Sequence, residues 1–269
     1  MSKEKGVGKT NSEFEQKKDK VVELPVLDFF KINFISFLVP LYICLGFFLL
    51  FEYGFIIPLS IPLAIHLLIL PGFLFVLYFL YLIILIEFTA LWVRRWNKKS
   101  PPAEGVFKRV LEDKDSKEEE GKMMKYYHKR GFIIKFPMWL TSKSPFPWLV
   151  NRVLRRISHN KLGKNVIYCD AYVGLEFTDI GDNVFFYPTS ALSSHAVNTI
   201  FGKITMMKLK MGDNTTLYPG IIMGPNALTT ENNVIFPNTV LHKNWRGKPN
   251  KLYYQGSPGR PIEVDHIKK

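Results

Sequence analysis

The stretch KMGDNTTLYPGIIMGPNALTTENNVIFPNTVL, residues 210–241, decides the fold. Met211, Leu217, Met223, Thr229, Ile235 and Leu241 return every sixth residue, with Thr229 the one weak member. Six is a multiple of two, so a half-buried strand accommodates the spacing. An ordinary strand does not survive Gly, Asp, Asn and Pro placed this close together. A chain that makes a short strand and then turns a corner satisfies both constraints. Three such corners close a triangular coil of roughly 18 residues, and stacked coils bury one side chain per face. Gly212-Asp213-Asn214, Pro219-Gly220 and Gly224-Pro225-Asn226 supply corner residues that accept positive φ or fix a turn. Thr215, Ile221, Ala227, Asn233 and Thr239, four residues after each inward position, are mostly the small or β-branched residues a tight coil admits.

An earlier block keeps the same spacing through Leu162, Tyr168, Gly174, Ile180, Phe186 and Leu192. LGKN at 162–165 and IGDN at 180–183 repeat the phase of MGDN at 211–214. The two blocks are out of register, because Leu192 to Met211 is nineteen residues rather than eighteen. The interruption is SSHAVNTIFGKITMMKLK, 193–210. An insertion into a solenoid is expected to leave the body as a loop, and a loop of this length is more often functional than accidental.

Upstream, no Lys or Arg occurs from Ile32 to Val93. A bilayer span needs about 20 apolar residues, so the run holds two helices, at about 34–56 and 67–90, around the broken stretch IIPLSIPL. Prolines at 58, 62 and 71 argue against one continuous rod. Lysines precede the run, Arg94, Arg95, Lys98 and Lys99 follow it, and the connection has none. Lys and Arg favour the cytoplasmic side, so both termini and the coil are expected there, with the first helix as an anchor. The organisation expected is a basic and acidic tail at 1–28, a transmembrane helical hairpin at 29–96, a linker with interfacial amphipathic helices at 97–160, and the coil at 161–262.

The formal charge is +13, and much of the excess flanks the apolar run, where anionic lipid is the nearer partner. In PFPWLVNRVLRRISHNKLG, 145–163, Leu149, Val150, Val153, Leu154 and Ile157 share one helical face and Arg152, Arg155 and Arg156 lie opposite. This suits a helix in the membrane interface or a cap on the coil. Between 100 and 120 the chain is charged and reads as a surface linker. Aromatic–basic interleaving of the kind nucleic acid needs is absent from the coil. Cys44 and Cys169 occupy environments too different to pair, which fits a reducing cytosol. Cys169 reads as a small buried residue rather than a nucleophile.

The hexads, the interrupting loop with its histidine and the ending YYQGSPGRPI (253–262) resemble the left-handed β-helix, or hexapeptide-repeat, acyltransferases. In GSPGRPI, Gly259 stands where that family usually has Ala. With the apolar hairpin added, the sequence is most similar to the membrane-linked hexapeptide region of polylysine-synthetase-type non-ribosomal peptide synthetases, which also exists in stand-alone form. The resemblance covers about 100–262. With the apolar run read as a membrane α-helical hairpin, it implies that the hairpin is followed by an all-β left-handed parallel β-helix with flanking helices. It further implies transfer of an acyl (acetyl-type) group from acyl-CoA or a carrier-protein thioester to a hydroxyl or amine, and a homotrimer.

Such transfer needs a base for the acceptor's proton and donors for the developing oxyanion. A lone histidine is by default structural, but His195 in SALSSHAV lies on the one insertion, and the resemblance makes it the candidate base. Ser193 and Ser194 are candidate oxyanion donors. Asp170 and Glu176, in IYCDAYVGLEFTDIG, are candidates to orient His195 or a substrate amine. Lys243, Arg246, Lys248 and Arg260, with Lys251, cluster where the late coils end and suit the phosphates of coenzyme A. His242 reads as structural. Zinc, as in hexapeptide carbonic anhydrases, needs three His ligands with two close in sequence, whereas the coil holds only His195 and His242. The acceptor expected is lipid-linked or a small molecule beside the bilayer. The rival reading is a non-catalytic trimeric membrane scaffold built on a degenerate coil.

Overall fold

The computed structural model describes residues 26–108, 119–168, 171–174, 176–198 and 202–264. Short strands fall into three parallel faces. The first holds His159–Leu162, Glu176–Ile180 and Leu209–Met211, continued by bridges from Lys210 to Leu228 and from Leu228 to Arg246. The second holds Ile167–Tyr168, Phe185–Phe186, Thr216–Leu217, Val234–Ile235 and Tyr253–Gln255, and Arg260–Ile262 closes it antiparallel. The third holds Tyr172–Val173, Ala191–Leu192, Ile222–Met223 and Val240–Leu241. The chain visits the faces in turn, so Thr216 pairs with Val234 and Ile222 with Val240 at the expected eighteen-residue offset. Phe186, Leu217, Ile235 and Tyr254 stack inward on the second face, and Leu192, Met223 and Leu241 on the third, all fully buried.

Asparagine makes the corners. Asn165, Asn183, Asn214, Asn232 and Asn250 share one corner column, each with φ between 53° and 63°. Asn tolerates the left-handed region better than other side chains because its amide bonds locally. The amides also bond along the column, Asn165 to Asn183 at 3.0 Å, Asn183 to Asn214 at 3.1 Å and Asn214 to Asn232 at 3.0 Å. Gly220 does adopt positive φ, 74°. Gly212 has another reason: a Cβ there would lie 2.4 Å from the carbonyl oxygen of Thr230 on the next coil. Because that neighbour is backbone, Gly212→Ala is expected to lower stability by about 1–3 kcal/mol. Thermal unfolding followed by circular dichroism in detergent checks this, and an unchanged midpoint refutes the close approach.

Three expectations need correction. The inward residue of the first coil's third face is Val173, paired with Leu192, not Gly174. Gly174 lies instead beneath Ser194, whose Oγ would be 3.0 Å from a Cβ. The interruption at 193–210 is not a loop. His195–Asn198 and Lys203–Met206 pair antiparallel as a hairpin, and the coil resumes at Leu209–Met211. Gly105–Lys108, expected as part of a linker, adds a third strand to that hairpin by pairing with Lys203–Met206. The linker stretch 109–118 and the tail 1–25 lie outside the described residues.

The two apolar helices are α1, Val26–Phe51 followed by a π-turn at Glu52–Ile56, and α2, Leu63–Lys99. The break falls in IIPLSIPL as its prolines require, while Pro40 and Pro71 are accommodated inside the helices. Both helices run beyond the expected limits because their coil-side ends pack against α3 (Glu119–Ile133), α4 (Lys135–Ser142) and α5 (Leu149–Arg156). Phe29 stacks on Phe132 with ring centroids 3.3 Å apart, and Phe37 meets Phe136 at 5.9 Å. Both helices are long and apolar enough to cross a membrane, and only 17% and 22% of their apolar windows are buried.

Helix α5 divides its apolar face between two cores. Val150 and Leu154 join the interior of the coil. Leu149, Val153 and Ile157 join Leu82, Leu85 and Ile86 of α2. On the other side Arg152 and Arg156 converge on Glu87, at 2.6 Å and 2.5 Å. The helix thus caps the coil and ties it to the hairpin.

Candidate functional site

Where the third face turns toward the first, the insertion leaves the coil and meets α3. A cavity of about 30 Å³ lies there, lined by Tyr127 and Gly131 of α3, Glu176 and Phe177 of the first face, and Ser194, His195 and Met206 of the hairpin. Three of the four expected catalytic residues line it together. The fourth, Asp170, lies outside the described residues.

His195 opens the hairpin and is partly buried, its ring set edge-on to Tyr127 at 5.9 Å and 74°. Burial holds its pKa below the ordinary histidine value, because the imidazolium is poorly solvated there. The neutral, proton-accepting form is therefore favoured. Ser193 Oγ donates to the His195 carbonyl at 2.6 Å. Ser194 is buried, and its hydroxyl donates to the carbonyl oxygen of Glu176.

Glu176 is 6% exposed. Its Oε1 accepts from Arg130 Nε, and Arg130, equally buried, also donates to the Ser100 carbonyl at 3.0 Å. Its Oε2 is buried without a hydrogen-bond partner among the described residues. Burial pushes the Glu176 carboxyl up, opposed by the Arg130 charge and hydrogen bond and by His159. The next residue, Phe177, has φ +60°. An aromatic side chain in the left-handed region is strained, and such strain concentrates at functional sites. The strain coincides with a register irregularity against His159–Leu162.

Tyr127, Gly131 and Arg130 belong to KMMKYYHKRGF, 122–132, part of the stretch 97–160 expected as a linker with interfacial helices, and none of the three is among the expected site residues. Their signal was weak. A buried arginine demands a carboxylate, but 36 Lys and Arg against 23 Asp and Glu single out no pair.

The structure separates the candidate phosphate ligands. Ser193 N–H donates to the Met223 carbonyl and Gly224 N–H to that of Leu241, so the insertion stands in register with the corners at 224–226 and 242–244. Lys243 is exposed two coils along that column, about 10 Å away at about 4.8 Å per strand. Arg246 follows the same corner and donates to the Asn226 side chain at 3.0 Å. Lys248 lies at the next corner, its N–H donating to the Tyr254 hydroxyl at 2.7 Å. Arg260 is exposed on the last strand of the second face. His242 Nε2 is 3.5 Å from Ser257 Oγ. Among the described residues no group of three or more His, Cys, Asp or Glu is arranged to hold a metal ion.

No family model matches the sequence, and no curated protein does. Several solved structures to which the chain is similar are acetyltransferases. A maltose O-acetyltransferase from Clostridium difficile 630 is 21% identical with a TM-score of 0.44, over 52% of this chain and 88% of that one. A galactoside acetyltransferase in complex with coenzyme A is 18% identical with a TM-score of 0.40, over 52% and 83%. A serine acetyltransferase from Brucella abortus strain S19 is 13% identical with a TM-score of 0.31, over 65% and 67%.

Proposed function

We propose that this chain is a membrane-anchored acyltransferase. It moves an acetyl-type group from a CoA or carrier thioester to a hydroxyl or amine of a membrane-associated acceptor. The observation that carries this reading is the cavity where the insertion presents a partly buried, neutral-favoured His195 beside Glu176 and Ser194. In the proposed reaction His195 takes the acceptor's proton as its oxygen or nitrogen attacks the thioester carbonyl. The carbon–sulfur bond then breaks, and the histidine returns the proton to the departing thiolate. Ser194 donates to the Glu176 carbonyl in this structure, so it serves the oxyanion only after its hydroxyl rotates. Asp170 keeps its proposed orienting role, and Glu176 holds the cavity's charge with Arg130. Lys243 and Arg246 stand on the same corner column and suit the phosphates of a CoA donor; Lys248 and Arg260 would serve from the end of the coil.

A 30 Å³ cavity holds about one or two waters and no thioester. The substrates must therefore meet at its mouth, and in the proposed homotrimer a neighbouring coil would close the site there. The eighteen-residue ladder with asparagine corners supports reading the coil as a left-handed parallel β-helix. The exposed apolar surface of α1 and α2, and the packing of both coil-side ends on α3 to α5, support a hairpin that enters and leaves the bilayer on one side, and the flanking Lys and Arg suit that side to the cytoplasm. The smallness of the cavity is also what favours the second reading, a non-catalytic trimeric scaffold.

Acetyl-CoA at about 100-fold excess over its dissociation constant is expected to stabilise the detergent-purified protein by about 2.7 kcal/mol, read as an upward shift of the thermal midpoint. A flat result with acetyl-CoA and with a carrier-protein thioester favours the scaffold.

A further inference from the structure

The exposure of α2 changes abruptly along its length. Leu63, Leu67, Leu68, Phe75 and Val76 are exposed, whereas Tyr81, Leu82, Leu85 and Ile86 are buried. The exposed part, Leu63–Val76, is about 21 Å long at about 1.5 Å per residue, most of the roughly 30 Å hydrocarbon thickness of a bilayer. The changeover therefore marks where apolar surroundings give way to the body of the protein. A groove of about 700 Å³ opens at this level between α2 and α5. Phe79 and Ile83 of α2, with Trp148 and Leu149, form its apolar wall, and Arg152, Arg155 and Arg156 form its rim. It shares no residue with the His195 cavity.

The charges at the rim are ordered before any ligand arrives. Glu87 accepts from Nε and Nη2 of both Arg152 and Arg156 and so fixes the two guanidinium planes. It does not use their Nη1 groups. Arg155 is anchored on the carbonyls of Leu162 and Gly163, in the first turn of the coil. Three guanidinium groups against one carboxylate leave a net charge of +2 at the groove. Arginine suits phosphate because its planar fork bonds two oxygens at once. Trp148 is 60% exposed beside it, and an exposed indole at this level is characteristic of a bilayer interface.

We propose that this groove binds an anionic phospholipid, its phosphate on the arginine rim and its acyl chains along Phe79 toward exposed Phe75 and Val76. The wall selects a lipid over a free anion, since the apolar surface of the groove continues up the exposed helix. The +2 charge selects an anionic over a zwitterionic headgroup, whose own cation the rim repels. The proposal rests on the membrane reading of α1 and α2.

The test uses the full chain in nanodiscs made from equal phosphatidylglycerol and phosphatidylcholine, followed by native mass spectrometry of the lipids it retains. Phosphatidylglycerol is expected to be preferred on the order of 10-fold, with the preference shrinking at 1 M salt, where the screening length falls to about 3 Å. Arg155→Gln should reduce the preference about five-fold. Lys203→Gln, an equal charge change on the exposed hairpin, should leave it intact and so separates a site from a general field. Should Arg155→Gln fail to fold, photo-crosslinking a phosphatidylglycerol probe to the wild type is expected to label 148–156, and labelling elsewhere overturns the site. Equal retention of the two lipids, equal effects of the two variants, or displacement of the lipid by millimolar inorganic phosphate would each overturn the proposal while the anchor stands. A chain that does not enter the disc overturns the proposal and the membrane reading together.

Discussion

His195→Ala is expected to fold with an unchanged melting midpoint and to lose acyl transfer by about 10²–10⁴-fold, the usual contribution of a positioned general base. The side chain lies at the lip of the hairpin, with its ring against Tyr127, so its removal opens a small cavity at an edge and not in the stacked core. The measurement is thiol release from acetyl-CoA in the presence of an acceptor found by screening. The pH profile adds a second reading of the same residue. A base works deprotonated, so activity falls as pH drops through its pKa. Burial has moved the His195 value below the usual one near 6.5. Wild-type kcat/KM should therefore stay flat through pH 7 and decline only on the acid side of the ordinary histidine range. A fully active alanine variant, or an acid limb at or above pH 6.5, rules out His195 as the base.

Arg130→Met is expected to be the most damaging single change to stability, costing about 3–5 kcal/mol near neutral pH, because it strands a buried carboxylate. The sign of its pH dependence is fixed by Glu176. Burial raises that carboxyl, and Arg130 is the main group opposing the rise. Without Arg130 the native state holds a proton that the unfolded chain, with a value near 4.3, has already released. Stability must then fall as pH rises from that value through the raised one. The deficit of Arg130→Met should accordingly be small near pH 4 and grow toward pH 8, as urea unfolding at each pH would register. Adding Glu176→Gln removes the stranded charge and is expected to recover most of the loss. A deficit that ignores pH and resists this rescue would mean that the two residues are not electrostatically coupled.

Local and periodic features were legible, and features made by distant approach were not. Leu217, Ile235 and Leu241 announce the coil because each inward position must recur after three corners. Asn214 and Asn226 announce corners because few other side chains accept that backbone, whereas Asn232 was not read as one. Gly174 misled for a related reason. It occupies the periodic position, but close packing under Ser194 requires a glycine there and moves the inward role to Val173. His195 and Ser194 could be singled out as candidates because the insertion breaks the period at them and the resemblance points to a histidine there, and Glu176 because it is one of the acidic residues that precede the break. Arg130 and Tyr127 could not, since nothing in a helix some 50 residues upstream records which coil edge it will meet. The helices ran past the limits drawn at 34–56 and 67–90 for the same reason. Hydropathy marks the apolar stretch, whereas Val26–Ile56 and Leu63–Lys99 continue into contacts with α3 to α5.

The strand at Gly105–Lys108 sets a timetable. Its partner, Lys203–Met206, is translated roughly 95 residues later, which at about 5–20 residues per second is a wait of about 5–20 s. Throughout that interval the earlier strand has been made and its complement has not. Four residues ending in a lysine form a poor template for a stray chain, since brevity and Lys both blunt an open edge. Only when the hairpin emerges does α3, already synthesised, acquire the surface against which Tyr127 meets His195. The cavity is thus assembled late in synthesis, from segments that have spent seconds apart.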